Sequence, residues 1–289
     1  MNLRGMYPIR DNEIKKFFDT IDYSSYIYSD KMVQHFKLDF IDWIKSSKNN
    51  NLHGFDEFTN PQFSNGVAAA FDWYYLLNKN RRFRFYRGDF MYHQVNLKHG
   101  FDWKHLDDDE IRKNDAVILS VPFSDYGFEH PKTEEILTIC DDLDVPVFLD
   151  FCYYNICKNI DIDLTHKCID TIAFSLSKFS DGLQYIRAGI RLNREYKDDG
   201  LDITNEFGQV NHLTCGIGVE IMNNFSIDHN WNKYSDTYYE ICNDMNLEPT
   251  NTITIGLGGD EYKELNRGSE VNRVCVSDLI SRRYNEIQK

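Results

Sequence analysis

The chain has 289 residues and a formal net charge of −14, with 42% hydrophobic and 15% aromatic residues. That composition fits a globular protein with a substantial core, above the usual size of one compact domain, and excludes a disordered chain. An acidic balance of this size also argues against sequence-independent nucleic-acid binding, which needs a basic surface.

The start of the chain carries no apolar signal region and no run is long enough to span a bilayer, so a cytoplasmic protein with no membrane partner is expected. The seven cysteines are scattered without a CxxC pair, which suggests a reducing compartment and buried thiols acting as small hydrophobes. The nine histidines show no metal-ligand spacing, so no metal is expected. His93, His99 and His105 read as surface or loop residues.

Residues 11–20 read as a short helix. From Asp30 to about Ser46, the positions Val33, Phe36, Phe40 and Ile44 recur at helical spacing and define an amphipathic helix. Tyr28, just before it in a tyrosine-rich flank, reads as a surface or interface residue. Ser64, Asn65, Gly66, Val67 and three alanines then open a helix that continues through Phe71, Trp73 and Leu76. A small-residue turn feeding a helix start aims free backbone N–H groups and the positive end of the helix dipole at whatever lies above it. That is either a phosphate seat or an ordinary Asn-Gly turn before a core helix.

Arg82 to Tyr86 alternates like a strand and leads into Gly88, Asp89, Phe90, Met91 and Tyr92. Ala116 to Val121 is a buried strand ending in the turn Pro122 to Gly127. A helix from Thr133, with Ile136, Leu137, Cys140 and Leu143 inward, returns the chain to a second buried strand, Val145 to Leu149, closed by Asp150. Strand, helix and parallel strand make a crossover unit. A further strand, Thr171 to Phe174, ends in Ser175, Ser177 and Lys178. Parallel α/β sheets place ligands at the carboxyl ends of their strands, so Asp150 and Lys178 read as two sides of one site. Beyond Leu192 the pattern gives helices over 209–221 and 230–244 and strands over 252–257 and 271–276.

Asp150, Phe151, Cys152 and Tyr153 resemble the D-x-A-Y element of fold-type-I pyridoxal-phosphate enzymes, the aspartate-aminotransferase superfamily. Ser175, Leu176, Ser177 and Lys178, followed by Arg187, Ala188 and Gly189, resemble that family's S-x-S-K…R-x-G signature. Tyr28, Ser29 and Asp30 are similar to the Y-P-D element of histidinol-phosphate-type aminotransferases. The turn from Pro122 to Gly127 resembles the N-P-x-N-P-T-G turn, and Asn272 to Val276 resembles the final R-I-S strand. A Rossmann dehydrogenase is disfavoured because no GxGxxG follows an early strand.

The resemblance implies an α/β fold of the PLP-transferase type I, a mostly parallel sheet flanked by helices, with a small α+β C-terminal domain. Residues 1–50 would be an N-terminal arm and helix, 51–195 the cofactor-binding large domain and 196–289 a trimmed small domain. The implied cofactor is pyridoxal 5'-phosphate, carried by Lys178 as a Schiff base. In that scheme Asp150 faces the pyridine nitrogen, Tyr153 bonds the ring hydroxyl, and Ser124 stands where the family has an asparagine donating to the same hydroxyl. Asn65, Gly66, Ser175 and Arg187 surround the phosphate, Val67 and Ser177 also belong to the cofactor-binding set, and Phe90 stacks on the ring, with Tyr86 and Tyr92 as alternatives. Tyr28 reaches the phosphate of the neighbouring subunit in a homodimer. Arg273 pairs with the substrate α-carboxylate, which a planar guanidinium meets with two parallel bonds.

The spacing from Lys178 to Arg187 is one residue longer than the family pattern, and a bulge within 179–184 is expected to absorb it. The implied activity is an aminotransferase acting on an α-amino acid and a 2-oxo acid. A decarboxylase or lyase on the same fold, or a non-catalytic relative, are the alternatives.

Overall fold

The computed structural model describes residues 3–287. Its strands in chain order are β1 (Asn51–His53), β2 (Asn60–Asn65), β3 (Arg82–Phe85), β4 (Trp103–His105), β5 (Asp115–Ser120), β6 (Val147–Asp150), β7 (Asp161–Asp163), β8 (Ile169–Ser175), β9 (Ala188–Asn193), β10 (Glu248–Pro249), β11 (Ile255–Gly258) and β12 (Asn272–Cys275). Seven of them form one sheet in the order β2-β9-β8-β6-β5-β3-β4. Only β9 runs against its neighbours; β8, β6, β5, β3 and β4 are mutually parallel. The mostly parallel α/β architecture expected from the sequence is therefore present.

A strand's side chains alternate between its two faces, and in this sheet both faces are covered. Ala116 and Ile118 of β5, Phe148 of β6 and Ala173 of β8 pack on one side with Phe71, Tyr74 and Tyr75 of the helix Gly66–Leu77. The alternate residues Val117, Leu119, Val147, Leu149, Ile172 and Phe174 pack on the other side with Phe36 and Phe40 of the helix Met32–Lys45. This double burial explains why the central strands read as continuous apolar runs.

A second, smaller core is built on the helix His229–Asp244 through Trp231, Tyr234, Tyr238, Ile241 and Cys242, together with Ile9, Ile253, Val274, Val276 and Ile280. It lies against the antiparallel sheet β10-β11-β12. Packing changes between Ile227 and Trp231, because Cys215, Ile217, Ile221, Met222, Phe225 and Ile227 still belong to the large core. The helix Met32–Lys45 likewise packs in the large core.

The expected elements recur with small shifts, such as His212–Asn224 for the helix read at 209–221. The helix Gly200–Glu206, closed by a capping box between Asp199 and Asp202, was not expected. Its start also carries a buried ion-pair cluster, in which Arg191 bonds Asp199 and, at 2.7 Å, Asp202. His93 is a correction: it lies on the helix Met91–Leu97, fully buried, with Nδ1 2.7 Å from the Tyr75 hydroxyl. Six of the seven cysteines are buried, Cys152 is half-buried, and none is in a disulfide. Among the described residues no helix is long and apolar enough to cross a membrane.

Candidate active site

A cavity of about 350 Å³ opens at the carboxyl ends of β5, β6 and β8. β6 and β8 are parallel neighbours with Asp150 in register with Ala173, so the polar residues that end these strands converge on one space. Asp150, Tyr153, Lys178, Ser177, Phe90, Ser124, Val67, Arg187 and Arg273 all line it.

Asp150 is buried and accepts one hydrogen bond, from the backbone N–H of Cys152 at 2.8 Å. Loss of solvation, with the charge of Asp89 adding to it, pushes its carboxyl up to about 7. Lys178 is the last residue of the single 3-10 turn, Leu176–Lys178, that follows β8. Burial lowers the proton affinity of its amine, helped by the charge of Arg273, and the amine donates to the carbonyl of Met6 at 2.6 Å. The Tyr153 ring lies 5.9 Å from that amine. Burial raises the Tyr153 phenol well above its ordinary range, so it is a neutral donor.

The extra residue before Arg187 is accommodated by Gly182, at φ +101°, and a four-residue helix, Leu183–Ile186. Arg187 follows in the left-handed region at φ +63°. This turn carries its guanidinium back to the start of the helix Gly66–Leu77, where Nη2 donates to the carbonyl of Asn65 at 3.4 Å. Gly66 has φ +69°, and a β-carbon placed on it would stand 3.0 Å from Nη2 of Arg187. The missing side chain leaves a cradle between a cation and a helix N-terminus, which is the chemistry of a phosphate seat. Val67 and Ala68 of that helix line the cavity itself.

Several expected contacts differ. Ser175 is fully buried and does not line the cavity; its hydroxyl donates to the carbonyl of Ala188 at 3.2 Å and caps the N–H of Ser177 at 3.1 Å. Its work is to hold the turn that presents Lys178, and Ser177 faces the cavity instead. Ser124 gives its proton to the carbonyl of Gly88 at 3.0 Å, so that proton is not aimed at a ligand. Asn65 is exposed and contributes its carbonyl. Tyr28 is 87% exposed and outside this cavity.

Phe90 lines the cavity and stacks on Tyr92 at 5.7 Å between centroids. The alternatives are spent elsewhere, Tyr86 on the ring of His130 and the Tyr92 hydroxyl on Asp72. Arg273 is buried, with Nη1 donating to the carbonyl of Ser124 at 3.0 Å, Nη2 to that of Arg4 at 2.8 Å, and Nε without a partner.

Other lining residues were not expected from the sequence. Arg4, Gly5 and Met6 come from the chain start, Phe71 from the helix Gly66–Leu77, Met91 from the start of the helix Met91–Leu97, Ser120 from the end of β5, and Arg267 from the segment before β12. Arg267 is tied to the buried Asp125 at 2.8 Å and to the carbonyl of Asp89 at 2.8 Å. Asp89 is itself buried, accepts from Ser120 Oγ, and has one carboxylate oxygen without a partner. No motif marks any of these positions. They are brought together by tertiary packing alone.

No protein-family model matches the sequence, and no curated protein matches it. Solved structures do match over nearly the whole chain. A histidinol-phosphate aminotransferase from Clostridium acetobutylicum is 12% identical, over 98% of this chain and 96% of that one, with a TM-score of 0.64. A PLP-bound C-S lyase from Staphylococcus hominis is 11% identical, over 99% and 90%, with a TM-score of 0.66. An alanine aminotransferase from Pyrococcus furiosus is 13% identical, over 97% and 89%, with a TM-score of 0.67. At such identities the likeness is one of fold. The chain has the type I fold of pyridoxal-phosphate-dependent enzymes.

Proposed function

We propose that the protein is a pyridoxal-5'-phosphate-dependent enzyme of amino-acid chemistry, and specifically an aminotransferase that exchanges an amino group between an α-amino acid and a 2-oxo acid. The observation that carries this is the pairing of Lys178 with Asp150 at the ends of adjacent parallel strands, facing one cavity whose far wall is the Gly66 helix start and Arg187. The residues present fit the cofactor. Arg187 and the helix start would hold its phosphate, Asp150 its ring nitrogen, Tyr153 its ring hydroxyl and Phe90 a ring face. When bound, the group supplies an electron sink for negative charge that develops at the substrate Cα.

The chain's own residues supply the rest. Desolvation disfavours the charged form of Lys178, which helps its amine to form the covalent link and, once freed, to take the proton from Cα. A carboxylate as buried as Asp150 is stabilised by a cationic partner, so it favours a protonated ring nitrogen over a neutral one. Arg273 would clamp the substrate carboxylate and fix which Cα bond is weakened. The fold neighbours include a C-S lyase, so elimination is the second reading; it uses the same proton transfer by Lys178 and differs in what leaves afterwards. Tyr28, exposed and outside its own cavity, is available to the neighbouring subunit of a homodimer, an assembly that sedimentation would test.

The central experiment is to add pyridoxal phosphate to the purified protein and to Lys178→Ala and record visible absorbance before and after borohydride. A yellow band bleached by borohydride, and absent from the variant, is expected. Its absence from the intact protein overturns the cofactor reading. Incubation with single amino acids and 2-oxo acids then separates the reactions: a transaminase forms a new amino acid without ammonia, whereas a lyase releases ammonia.

A further inference from the structure

The chain start lies across the cavity and is held by the groups that the chemistry needs. The Leu3 carbonyl accepts from the backbone N–H of Cys275 at 2.9 Å. The Arg4 carbonyl accepts from Nη2 of Arg273 at 2.8 Å, and the Met6 carbonyl accepts from Nζ of Lys178 at 2.6 Å. The Met6 sulfur takes the Thr254 hydroxyl at 3.2 Å, and the Ile9 carbonyl takes the N–H of Asp181 at 3.0 Å. Arg4, Gly5 and Met6 form part of the cavity wall. Two backbone carbonyls therefore occupy the donors of the amine and of the carboxylate-binding guanidinium.

We propose that residues 3–7 are a strap that guards the cofactor-free site and is released when Lys178 takes up the cofactor. The proposal rests on the reading of Lys178 as the point of covalent attachment. When a primary amine condenses with the cofactor's aldehyde, a C=N bond forms and the aldehyde oxygen leaves as water, taking both amine hydrogens with it. The nitrogen that donated to Met6 is then part of the C=N bond, and a proton it carries is shared with the neighbouring ring oxygen of the cofactor, so it no longer serves the Met6 carbonyl. A substrate carboxylate acts on the second anchor, because a charge-assisted pair with Arg273 outcompetes the neutral carbonyl of Arg4. Each ligand thus removes one of the bonds that hold the strap in the site. The segment is a stand-in for both, and its position reports whether the site is loaded.

Arg4 gives a direct readout, since trypsin cleaves after arginine and needs the local backbone detached. In the full-length chain, the rate of cleavage between Arg4 and Gly5, followed by the mass of the product beginning at Gly5, is expected to rise about tenfold when pyridoxal phosphate is loaded. In Lys178→Met, which keeps the length of the side chain and loses the donor, cleavage is expected to be fast with or without cofactor. A visible band that forms with no change in cleavage rate overturns the strap while leaving the cofactor reading intact. If no band forms, the cofactor reading fails, and slow cleavage in Lys178→Met equal to that of the unaltered chain overturns the strap as well. The comparison of loaded with unloaded chain does not depend on the variant folding.

Discussion

The guanidinium of Arg187 packs so closely on Gly66 that a β-carbon there would lie 3.0 Å from Nη2 and 3.1 Å from Cζ. Both residues hold positive φ, +63° for Arg187 and +69° for Gly66. Only glycine adopts that backbone without penalty, and it is also the residue that leaves the cradle open. Gly66→Ala is expected to cost about 1–2 kcal/mol from the left-handed backbone alone and to weaken pyridoxal-phosphate binding by roughly tenfold, or about 1.4 kcal/mol. Urea unfolding and an absorbance titration read the two effects separately; an alanine variant with unchanged cofactor affinity would remove the phosphate from this seat.

Asp150 makes a pH-dependent prediction for the cofactor-free protein. Its folded value, about 7, lies above the 3.8 of an ordinary aspartate. Between about pH 4 and 7 the native state keeps a proton that the unfolded chain has lost, so this residue's contribution to stability falls as pH rises through that window. Asp150→Asn removes the effect while keeping an oxygen to accept from Cys152. The variant's stability relative to the native chain is expected to be near equal at pH 4 and to gain on the order of 2–4 kcal/mol by pH 7.5. A difference that does not vary with pH would show that Asp150 is not held in a desolvated state.

Arg273→Lys keeps the charge and loses the planar fork. For the amino-acid substrate, KM is expected to rise by about two orders of magnitude, roughly 3 kcal/mol of carboxylate binding. The cofactor absorbance of this variant should match that of the unaltered chain. Equal loss of absorbance and of substrate binding would instead assign Arg273 a structural role on the carbonyls of Ser124 and Arg4.

Arg191 has no part in the site and tests the fold. It lies between Asp199 and Asp202 with all three side chains buried. Removing one partner from such a cluster leaves uncompensated charge in a poorly solvated place, so Arg191→Met is expected to cost about 3–5 kcal/mol. Replacing Asp199 and Asp202 by asparagine in the same chain should restore part of that loss. Thermal unfolding of the variants checks both outcomes.

The sheet was legible because β5, β6 and β8 are buried on both faces and therefore spell unbroken apolar runs, each ending in a polar group. Asp150 and Lys178 were legible for the same reason, since a strand end is visible in the sequence and parallel topology brings strand ends together. Ser175 shows the limit. Its place in a motif suggested a ligand contact, but its hydroxyl is consumed by Ala188 and the Ser177 N–H, a local bond that spacing does not reveal. His93 looked like a surface residue because its polar neighbours hid one turn of helix that buries it. Arg4, Asp89 and Arg267 were invisible for a different reason: their relation to the cavity depends on contacts across long stretches of chain.

One of those contacts bears on how the protein is made. The bond between the Leu3 carbonyl and the Cys275 N–H closes nearly the whole sequence into a ring, and the side chains of Asn12 and Asn285 meet at 2.6 Å a short distance along. During synthesis the first residues emerge long before their partners exist. The large sheet has every strand it needs by Asn193, whereas the segment over the cavity must wait for β12. A nascent or truncated chain ending before Cys275 therefore lacks the N–H that holds the Leu3 carbonyl, and the wall built by Arg4, Gly5 and Met6 is among the last parts of the molecule to be fully anchored.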